Sequence, residues 1–198
     1  DAIALAAEVS KGTIYLYFKS KEEIAYALLV REFGQVLEKL VHFSSGPGNG
    51  LEKLLGMSRF YLSQAETNPQ QFKLLYKIHR HFHNNMEENI MKLGESEHGR
   101  NVLAMTGRMN AFLSRIVEEG MRDGSLRSNL DPIFTVMMVS GILDGILENV
   151  PFGASPEMRA RFEMLFGIKT EALFEKTLGF ISDAIAARPA VTPARKKK

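Results

Sequence analysis

The sequence predicts an all-α protein, and three observations lead to that prediction. Apolar residues recur at helical spacing through nearly the whole chain, whereas the alternation of apolar and polar residues that marks strands is scarce. Glycine, proline and asparagine stand between the periodic stretches, where they end one helix and start the next. The composition, 45% hydrophobic and 24% charged, is that of a chain with a real core and an ordinary soluble surface.

Composition also limits the kinds of site and the cellular locations that the chain can have. The chain has no cysteine, which excludes disulfides, thiol catalysis and cysteine-bound zinc. Polar residues and glycines interrupt the longest apolar run, 133–150, so we predict a buried helix there and no membrane partner. The sequence shows no secretory signal, so we expect a cytoplasmic protein. The net charge of +2 is too small to indicate a nucleic-acid partner by itself.

The first predicted elements are short and closely spaced. A helix over residues 1–8 is followed by a tight turn in which Ser10 is placed to cap the next helix, over 11–18. Ser20 and Glu23 then have the spacing of a capping box, in which each side chain accepts the backbone N–H of the other residue. This box starts a long amphipathic helix that reaches about residue 44.

The rest of the chain is predicted as helices separated by loops. A loop rich in glycine and serine covers 44–50. Asn68-Pro69 and Asp131-Pro132 are helix starts with proline in the first turn, and Gly124 is a helix stop. The predicted helices cover about 51–66, 69–93 with a break near 84–85, 98–123, 131–150, 156–167 and 169–187.

Residues 1–44 have the pattern of a helix-turn-helix followed by a supporting helix. From Lys11 to Lys21 the chain carries three lysines and no acidic residue, with threonine and tyrosine hydroxyls among them. Lysines and the amides of a helix N-terminus hold phosphates, and side chains of the first turn reach base edges. Composition alone leaves an equal alternative, a solvated turn between two core helices. Of the apolar residues here, we expect Ile14, Leu16 and Phe18 to supply packing.

The run from Ile3 to Glu23, with Ala7-Glu8-Val9-Ser10-Lys11-Gly12-Thr13-Ile14-Tyr15-Leu16-Tyr17-Phe18 at its centre, resembles the helix-turn-helix signature of the TetR family. The match is nearly unbroken over about twenty residues, which makes it far more specific than a lone glycine motif. It departs at Glu8, where glycine is usual in that family. The family's DNA-binding unit has three helices, so we expect a first helix to precede Asp1.

The resemblance also implies the roles of individual residues at a DNA surface. It implies that Lys11, Gly12 and Tyr15 face bases. It implies that Thr13, Tyr17 and Lys21 contact phosphates.

The middle helices carry aromatic residues and methionines at helical spacing, a set that can line an adaptable apolar pocket. For any one of these residues, an ordinary core position is the better interpretation. The TetR resemblance implies a pocket among these helices, so we predict a small, mostly apolar effector, oriented by Tyr76, His79 and Arg108. The candidate ligand-binding residues are Phe60, Tyr61, Tyr76, His79, Met105, Arg108, Met109 and Phe112.

The same region offers a weaker alternative, a metal site. His79 and His83 are i, i+4 neighbours and Glu87 extends their line, and two histidines with a carboxylate can bind zinc. No further ligand is evident nearby, so we predict no metal and no other cofactor. Nucleophilic catalysis needs an oriented base and acid beside the nucleophile. No such set is visible, and we predict that the protein is not an enzyme.

The last helices predict a homodimer. The helix at 131–150 is apolar on almost every face, so one face can meet its own core while another needs a partner. A stripe on the helix at 169–187 completes a four-helix interface built from two helices of each subunit. The candidate interface residues are Met137, Gly141, Gly145, Phe174, Leu178, Ile181 and Ile185.

We therefore expect a helix-turn-helix domain over 1–45, a ligand-binding and dimerisation domain over 46–187, and a disordered basic tail over 188–198. The expected function is repression of transcription by binding a double-stranded DNA operator until the small-molecule effector binds. The long helix that starts at Ser20 is expected to carry movement from the effector to the DNA-reading helix. The alternative is an all-helical protein or enzyme that binds the small molecule and not DNA.

Overall fold

A computed structural model of the chain describes residues 2–84, 93–149 and 154–187, and of 79–84 and 171 the backbone alone. Every named element in these residues is helical, and an isolated antiparallel bridge joins Leu126 to Ala186. The helices are α1 (Ala2–Ala6), α2 (Lys11–Tyr17), α3 (Lys21–Ser44), α4 (Gly50–Thr67), α5 (Pro69–Asn84), α6 (Glu97–Asp123), α7 (Pro132–Asn149), α8 (Pro156–Phe166) and α9 (Thr170–Ile185).

The predicted all-α fold is confirmed, and most predicted helix ends agree closely with the observed ones. The first helix ends at Ala6 rather than Glu8, because the chain turns out of the helix there. Helix α5 is described as far as Asn84. The predicted helix through 85–92, and with it the break near 84–85, lies outside the described residues, as does the tail at 188–198.

The chain forms two compact units, each made of two segments that are not contiguous in the sequence. Unit 1 contains the described residues of Asp1–His42 and Asn68–Met109, and unit 2 those of Phe43–Thr67 and Asn110–Lys198. The first division falls close to the predicted domain boundary at residue 45. Helix α5 and the first half of α6, however, pack with the N-terminal helices, although we expected them in the second domain. The reason is the core of unit 1, which draws residues from all of these segments.

The core of unit 1 centres on α3. Leu29 is 1% exposed and packs with Leu93, which is 0% exposed, and with Val102 of α6. Burying three such side chains removes enough apolar surface from water to stabilise the unit by several kcal/mol, at roughly 1.5–3 kcal/mol for each. Partly buried residues of α3 and α5 surround them: Tyr26, Val30, Phe33, Leu75 and Ile78.

A buried carboxylate lies on the same helix. Glu32 is buried, and its Oε1 accepts hydrogen bonds from Arg31 Nε at 3.0 Å and Arg31 Nη2 at 2.7 Å. Its Oε2 accepts from Gln71 Nε2 of α5. A buried charge is stable only when it is paired in this way, so the cluster fixes how α5 lies against α3.

Unit 2 is organised around the start of α4. A Cβ added to Gly50 would lie 2.3 Å from Gly120 Cα, so a larger residue cannot occupy this contact between α4 and α6. The N–H of Gly50 donates to Asp123 Oδ2 at 2.8 Å, and that of Leu51 donates to Ser125 Oγ at 3.1 Å. Partial burial opposes ionisation of Asp123, but hydrogen bonds from Ser125 and Gly50 outweigh it and hold the pKa of the carboxyl below its usual value.

Helix α9 packs against α4 and α7 and buries a stripe of apolar side chains in unit 2. The bridge between Leu126 and Ala186 secures its C-terminal end, where Arg127 donates to the carbonyls of Asp183 and Ala186. The buried stripe consists of Phe174, Leu178, Ile181 and Ile185, with exposures of 1–7%.

Helix α7 is apolar on two faces, and the described residues of the chain cover one of them. Val136, Val139, Leu143 and Leu147 are buried, as the prediction of a buried helix requires. The other face is exposed, with Phe134 and Met137 at 61% and 63%, so the prediction holds for one face only. Its length and composition would also suit a membrane span, although a core helix of a soluble protein passes the same test. The exposed residues of this face are Ile133, Phe134, Met137 and Met138.

Candidate nucleic-acid interface

The turn between α1 and α2 is a Schellman motif. Glu8 has a φ of 53°, in the left-handed region, and its N–H donates to the carbonyl of Leu5 at 3.1 Å. The N–H of Val9 donates to the carbonyl of Ala4, also at 3.1 Å, which completes the motif. Glycine adopts this conformation without penalty, whereas a residue with a side chain loses about 1 kcal/mol. The structure therefore gives a physical reason for the glycine that the TetR signature has in place of Glu8.

Helix α2 is capped by its own sequence. Ser10 is the N-cap, and its Oγ accepts the N–H of Thr13 at 3.0 Å and lies 2.8 Å from Thr13 Oγ1. The cap predicted from the sequence is thereby confirmed. Because these bonds are local, α2 starts at a fixed residue without using any side chain from elsewhere in the chain.

The side chains of α2 are exposed to solvent or half-buried. None of its residues is buried, and Tyr15 and Tyr17 are 58% and 71% exposed. The packing expected of Leu16 is wrong, because its side chain is 82% exposed while Ile14 and Phe18 are half-buried. The spacing explains the error, since residues 14 and 18 share one face of a helix and residue 16 points to the opposite side.

Gly12 lies in the first turn of this exposed helix. A Cβ built on it would meet only Ser10 Oγ, at 3.6 Å, which is an ordinary van der Waals contact. The fold of the described residues therefore does not require glycine at this position. A requirement for glycine would have to come from a molecule that approaches the backbone from outside.

The start of α3 is fixed by the predicted capping box with one change of partner. Ser20 Oγ accepts the N–H of Glu23 at 3.4 Å, as expected. The Glu23 carboxylate reaches one residue further back than predicted and accepts the N–H of Lys19 at 2.7 Å. Glu23 is buried, whereas Lys21 in the first turn of α3 is exposed. The box thus fixes the turn that connects α2 to α3 and leaves Lys21 on the surface.

All six predicted DNA-binding residues thus lie in α2 and the first turn of α3. A sequence model for the family described as "Bacterial regulatory proteins, tetR family" matches residues 1–28, which contain the whole of this region. The N-terminal region of the chain is thus that of a TetR-type regulator. The family match ends within α3, so it covers the helix-turn-helix and leaves the remaining helices to other comparisons.

Relatives of this TetR-type regulator extend the likeness over the rest of the chain. The "Fatty acid metabolism regulator protein" of Bacillus subtilis (strain 168) is 28% identical over 149 residues, which cover 72% of this chain and 67% of the relative. The ketosteroid transcriptional regulator KstR2 of Mycobacterium tuberculosis has a similar fold, with a TM-score of 0.63 and 15% identity over 94% of this chain and 83% of its own.

A further structure, the transcriptional regulator FadR from Bacillus subtilis in complex with stearoyl-CoA, matches with a TM-score of 0.55 and 21% identity. The match covers 92% of this chain and 86% of that chain. At these identities the two structures establish a shared fold across nearly all of the helices.

The predicted ligand-binding residues are divided between the two units. Phe60, Tyr61 and Phe112 belong to unit 2, and Phe112 is buried at 5% exposure. The set in unit 1 has partly buried and exposed members, and the side chain of His79 lies outside the described residues, as do those of His83 and Glu87. The residues of the set in unit 1 are Tyr76, His79, Met105, Arg108 and Met109.

The predicted dimer residues divide by burial. Met137, Gly141 and Gly145 of α7 are exposed, and a Cβ on either glycine would meet nothing within 4 Å. The four predicted residues of α9 form the buried stripe, so their assignment to a subunit interface is corrected: they are core residues of a single chain. Phe180, on another side of α9, is 67% exposed. The stripe correctly marked a buried face, but sequence spacing does not say what covers it.

Several contacts between distant residues were not predicted from the sequence, and two of them involve candidate site residues or their neighbours. Tyr61 Oη donates to Asp144 Oδ1 of α7 at 3.3 Å, and the Phe18 ring lies 5.1 Å from that of His98, measured between centroids. Both join residues far apart in the chain. Of these contacts, the sequence could have indicated the one made by Asp144, since a carboxylate on an otherwise apolar helix requires a polar partner.

Proposed function

We propose that this TetR-type regulator represses transcription by placing α2 in the major groove of an operator, and that a small, mostly apolar molecule releases it. The observation that carries the proposal is the exposure of every residue of α2 that the family resemblance assigns to bases or phosphates, apart from the half-buried Thr13. A helix that presents aromatic hydroxyls and a lysine beside a bare glycine is suited to a groove lined with phosphates.

The roles that the family resemblance implies for individual residues agree with their positions. Lys11 and Gly12 are in the first turn of α2, the part of a recognition helix that reaches base edges, and Tyr15 is one turn further along. Lys21 is the first residue of α3, where the positive end of the helix dipole and the charge of the lysine both favour binding of a phosphate. Thr13 and Tyr17 supply hydroxyl donors to the backbone of the DNA.

We propose a long-chain acyl-CoA as the class of effector. Two observations support this choice. The relative with 28% identity is named as a regulator of fatty acid metabolism, and the FadR structure of similar fold contains stearoyl-CoA. The chain is also rich in the residues that line flexible apolar cavities, with ten Met and thirteen Phe and no Trp.

We further propose that the protein acts as a cytoplasmic homodimer, by binding and without catalysis. The support for the dimer is the exposed apolar face of α7, where Phe134 and Met137 lie near Gly141 and Gly145. Helical side chains of this type require a cover of apolar surface, and small residues allow two helix backbones to approach closely. Because the stripe on α9 is buried within the chain, we expect the exposed Phe180 to be the residue by which α9 contacts the partner subunit.

The dimer is tested by molar mass in solution at micromolar concentration. We expect twice the chain mass, and we expect Gly145→Leu to reduce it to a monomer because the added side chain would meet the partner helix. Gly107→Leu is the matched control, since a Cβ on this helical glycine also meets nothing within 4 Å. A parent protein that is monomeric, or a Gly145→Leu variant that is as dimeric as the parent, contradicts the proposed interface.

The function is tested by selecting duplexes from a random library with the full chain and titrating the best one at several salt concentrations. We expect a steep loss of affinity with salt, as several phosphate contacts require. Stearoyl-CoA should release the duplex, whereas CoA without its acyl chain should not. Failure to select any duplex would favour the alternative of a small-molecule-binding protein that does not bind DNA, and release by neither compound would refute the effector class alone.

A further inference from the structure

The C-terminal end of the recognition helix rests on α6. Phe18 is the C-cap of α2, and its N–H donates to the carbonyl of Ile14 at 2.9 Å. The ring of Phe18 lies 5.1 Å from the ring of His98 at an interplanar angle of 32°. His98 is the second residue of α6, so two helices far apart in sequence meet at this pair. An aromatic pair at this distance is stabilising, and here it sets the position of the last turn of α2.

The His98 side of the contact is held rigidly. Ser96 Oγ caps α6 by accepting the N–H of Gly99 at 3.0 Å, and the Ser96 carbonyl accepts the N–H of Arg100, also at 3.0 Å. A Cβ on Gly99 would lie 2.3 Å from the carbonyl oxygen of Leu93, so this turn of α6 is packed tightly on the segment before it. Leu93 is itself at the centre of the core of unit 1. His98 therefore cannot shift without the first turn of α6.

The same face of α6 continues past His98 along α3. Val102, at i+4, is buried with Leu29 in the core, and Met105, at i+7, has its Cε 3.6 Å from where a Cβ of Gly34 would lie. Met105 is also one of the residues predicted to bind the effector. Seven residues of helix span about 10 Å, over which an α-helix is stiff enough to transmit a displacement. One helix face thus connects a candidate effector residue with the end of the recognition helix.

We propose that α6 is a second link from effector to DNA, which runs beside α3 and reaches the other end of the recognition helix, and that His98 is the positioning residue at which it holds Phe18. The proposal rests on the proposed function only for the assumption that an effector displaces α6. A displacement at Met105 moves His98 and thereby the last turn of α2, which carries Tyr17. The geometry of the recognition helix is then controlled from both of its supports, the capping box that begins α3 and the first turn of α6.

The experiment compares the full-length parent with His98→Ala and His98→Phe. Hydrogen–deuterium exchange is measured for peptides covering residues 11–18 and, as a control for global folding, 26–33. We expect His98→Ala to raise exchange in 11–18 by about fivefold or more while 26–33 is unchanged, because only the support of α2 is lost. His98→Phe keeps an aromatic ring at the contact and should exchange like the parent.

A second measurement uses stearoyl-CoA as the probe of coupling. In the parent, stearoyl-CoA should weaken the selected duplex by a factor within the usual range of about 5–150, and in His98→Ala this factor should fall at least several-fold, with recovery in His98→Phe. Affinity for stearoyl-CoA without DNA should be the same in all three proteins.

Unchanged exchange in His98→Ala, an unchanged release factor, or loss of stearoyl-CoA binding in that variant each overturns the proposed link. If the parent does not respond to stearoyl-CoA, the proposed effector fails and the exchange of residues 11–18 still decides the role of His98.

Discussion

The starts of α2 and α4 are both glycine-containing helix N-termini, and they differ in their contacts with distant residues. Helix α2 is capped by Ser10, three residues before the N–H that it accepts, and Gly12 faces open space apart from that serine. Helix α4 also has a local cap, in which Asn49 Oδ1 accepts the N–H of Glu52 at 3.0 Å. In addition, the N–H of Gly50 donates to Asp123, 73 residues away, and Gly50 lies against the backbone of Gly120. The comparison shows that a local cap alone leaves a helix free to present its side chains, whereas additional contacts with distant residues bind the start of a helix into the core of its unit.

We infer from this difference that glycine is needed at the two positions for different reasons. Gly50 is required by the packing of unit 2, since no other residue fits beside Gly120. Gly12 is not required by any contact among the described residues, and its proposed purpose is the approach of DNA. The two sites can therefore be separated by measuring stability and DNA binding on the same variants.

The largest effect on stability is expected from Gly50→Ala. The new methyl group would overlap the backbone of Gly120, which cannot move aside as a flexible side chain can, so we expect a loss of about 3 kcal/mol in the free energy of unfolding. Urea denaturation measures this loss. Gly107→Ala, at a helical glycine whose Cβ would meet nothing, is the control and should be neutral or stabilising. A Gly50→Ala protein as stable as the parent would show that the contact is not close.

A smaller effect is expected from Asp123→Ala, which removes the distant carboxylate bound to Gly50 and leaves the local Asn49 cap of α4 in place. Loss of an N-cap costs about 1 kcal/mol, and the exposed setting of this carboxylate argues against a larger value. Because its folded pKa is lowered, the contribution is complete above the unfolded pKa and is lost as pH falls through the folded pKa. The difference in unfolding free energy between parent and variant should therefore be full at pH 7 and shrink below about pH 4.

The matched control for this pH dependence is Glu118→Ala, an exposed carboxylate on the same helix. Its effect on the free energy of unfolding should be small. A difference for Asp123→Ala that stays constant from pH 7 to pH 3 would mean that the carboxylate charge plays no part in capping α4.

The smallest effect, and one of opposite sign, is expected from Glu8→Gly. Glycine relieves the left-handed strain at φ 53° but gains freedom in the unfolded chain, so the net stabilisation should be about 0.5–1 kcal/mol. Thermal unfolding with Glu8→Ala as the comparison separates the two causes, because alanine keeps the strain. If both variants have the same melting temperature, the Schellman turn is not strained.

The extent to which sequence predicted the structure follows the same distinction between local and distant contacts. The Ser10 cap, the Ser20 half of the capping box and most helix ends depend on residues a few positions apart, and they were predicted correctly. The cap that Asp123 places on Gly50 and the ring contact of Phe18 with His98 join distant residues and leave no periodic pattern.

Helix α9 shows a further limit of sequence patterns. The spacing of Phe174, Leu178, Ile181 and Ile185 correctly indicated one buried face, but an apolar stripe is the same whether its own chain or a partner covers it. On α7 two apolar faces were present, and the second is the one that remains exposed in the single chain. An excess of apolar surface over what one chain can bury is thus a better guide to an interface than a single stripe.

The proposal that α2 reads DNA is tested most directly by measuring stability and duplex affinity together for Gly12→Ala. The fold accepts a methyl group there, since its nearest neighbour would be Ser10 Oγ at 3.6 Å, and alanine favours a helix over glycine by up to about 1 kcal/mol. We predict a protein at least as stable as the parent whose affinity for the selected duplex falls by about tenfold or more, because a Cβ blocks the close approach of DNA. An equally stable Gly12→Ala protein that binds the duplex as tightly as the parent would contradict the assignment of this helix to DNA.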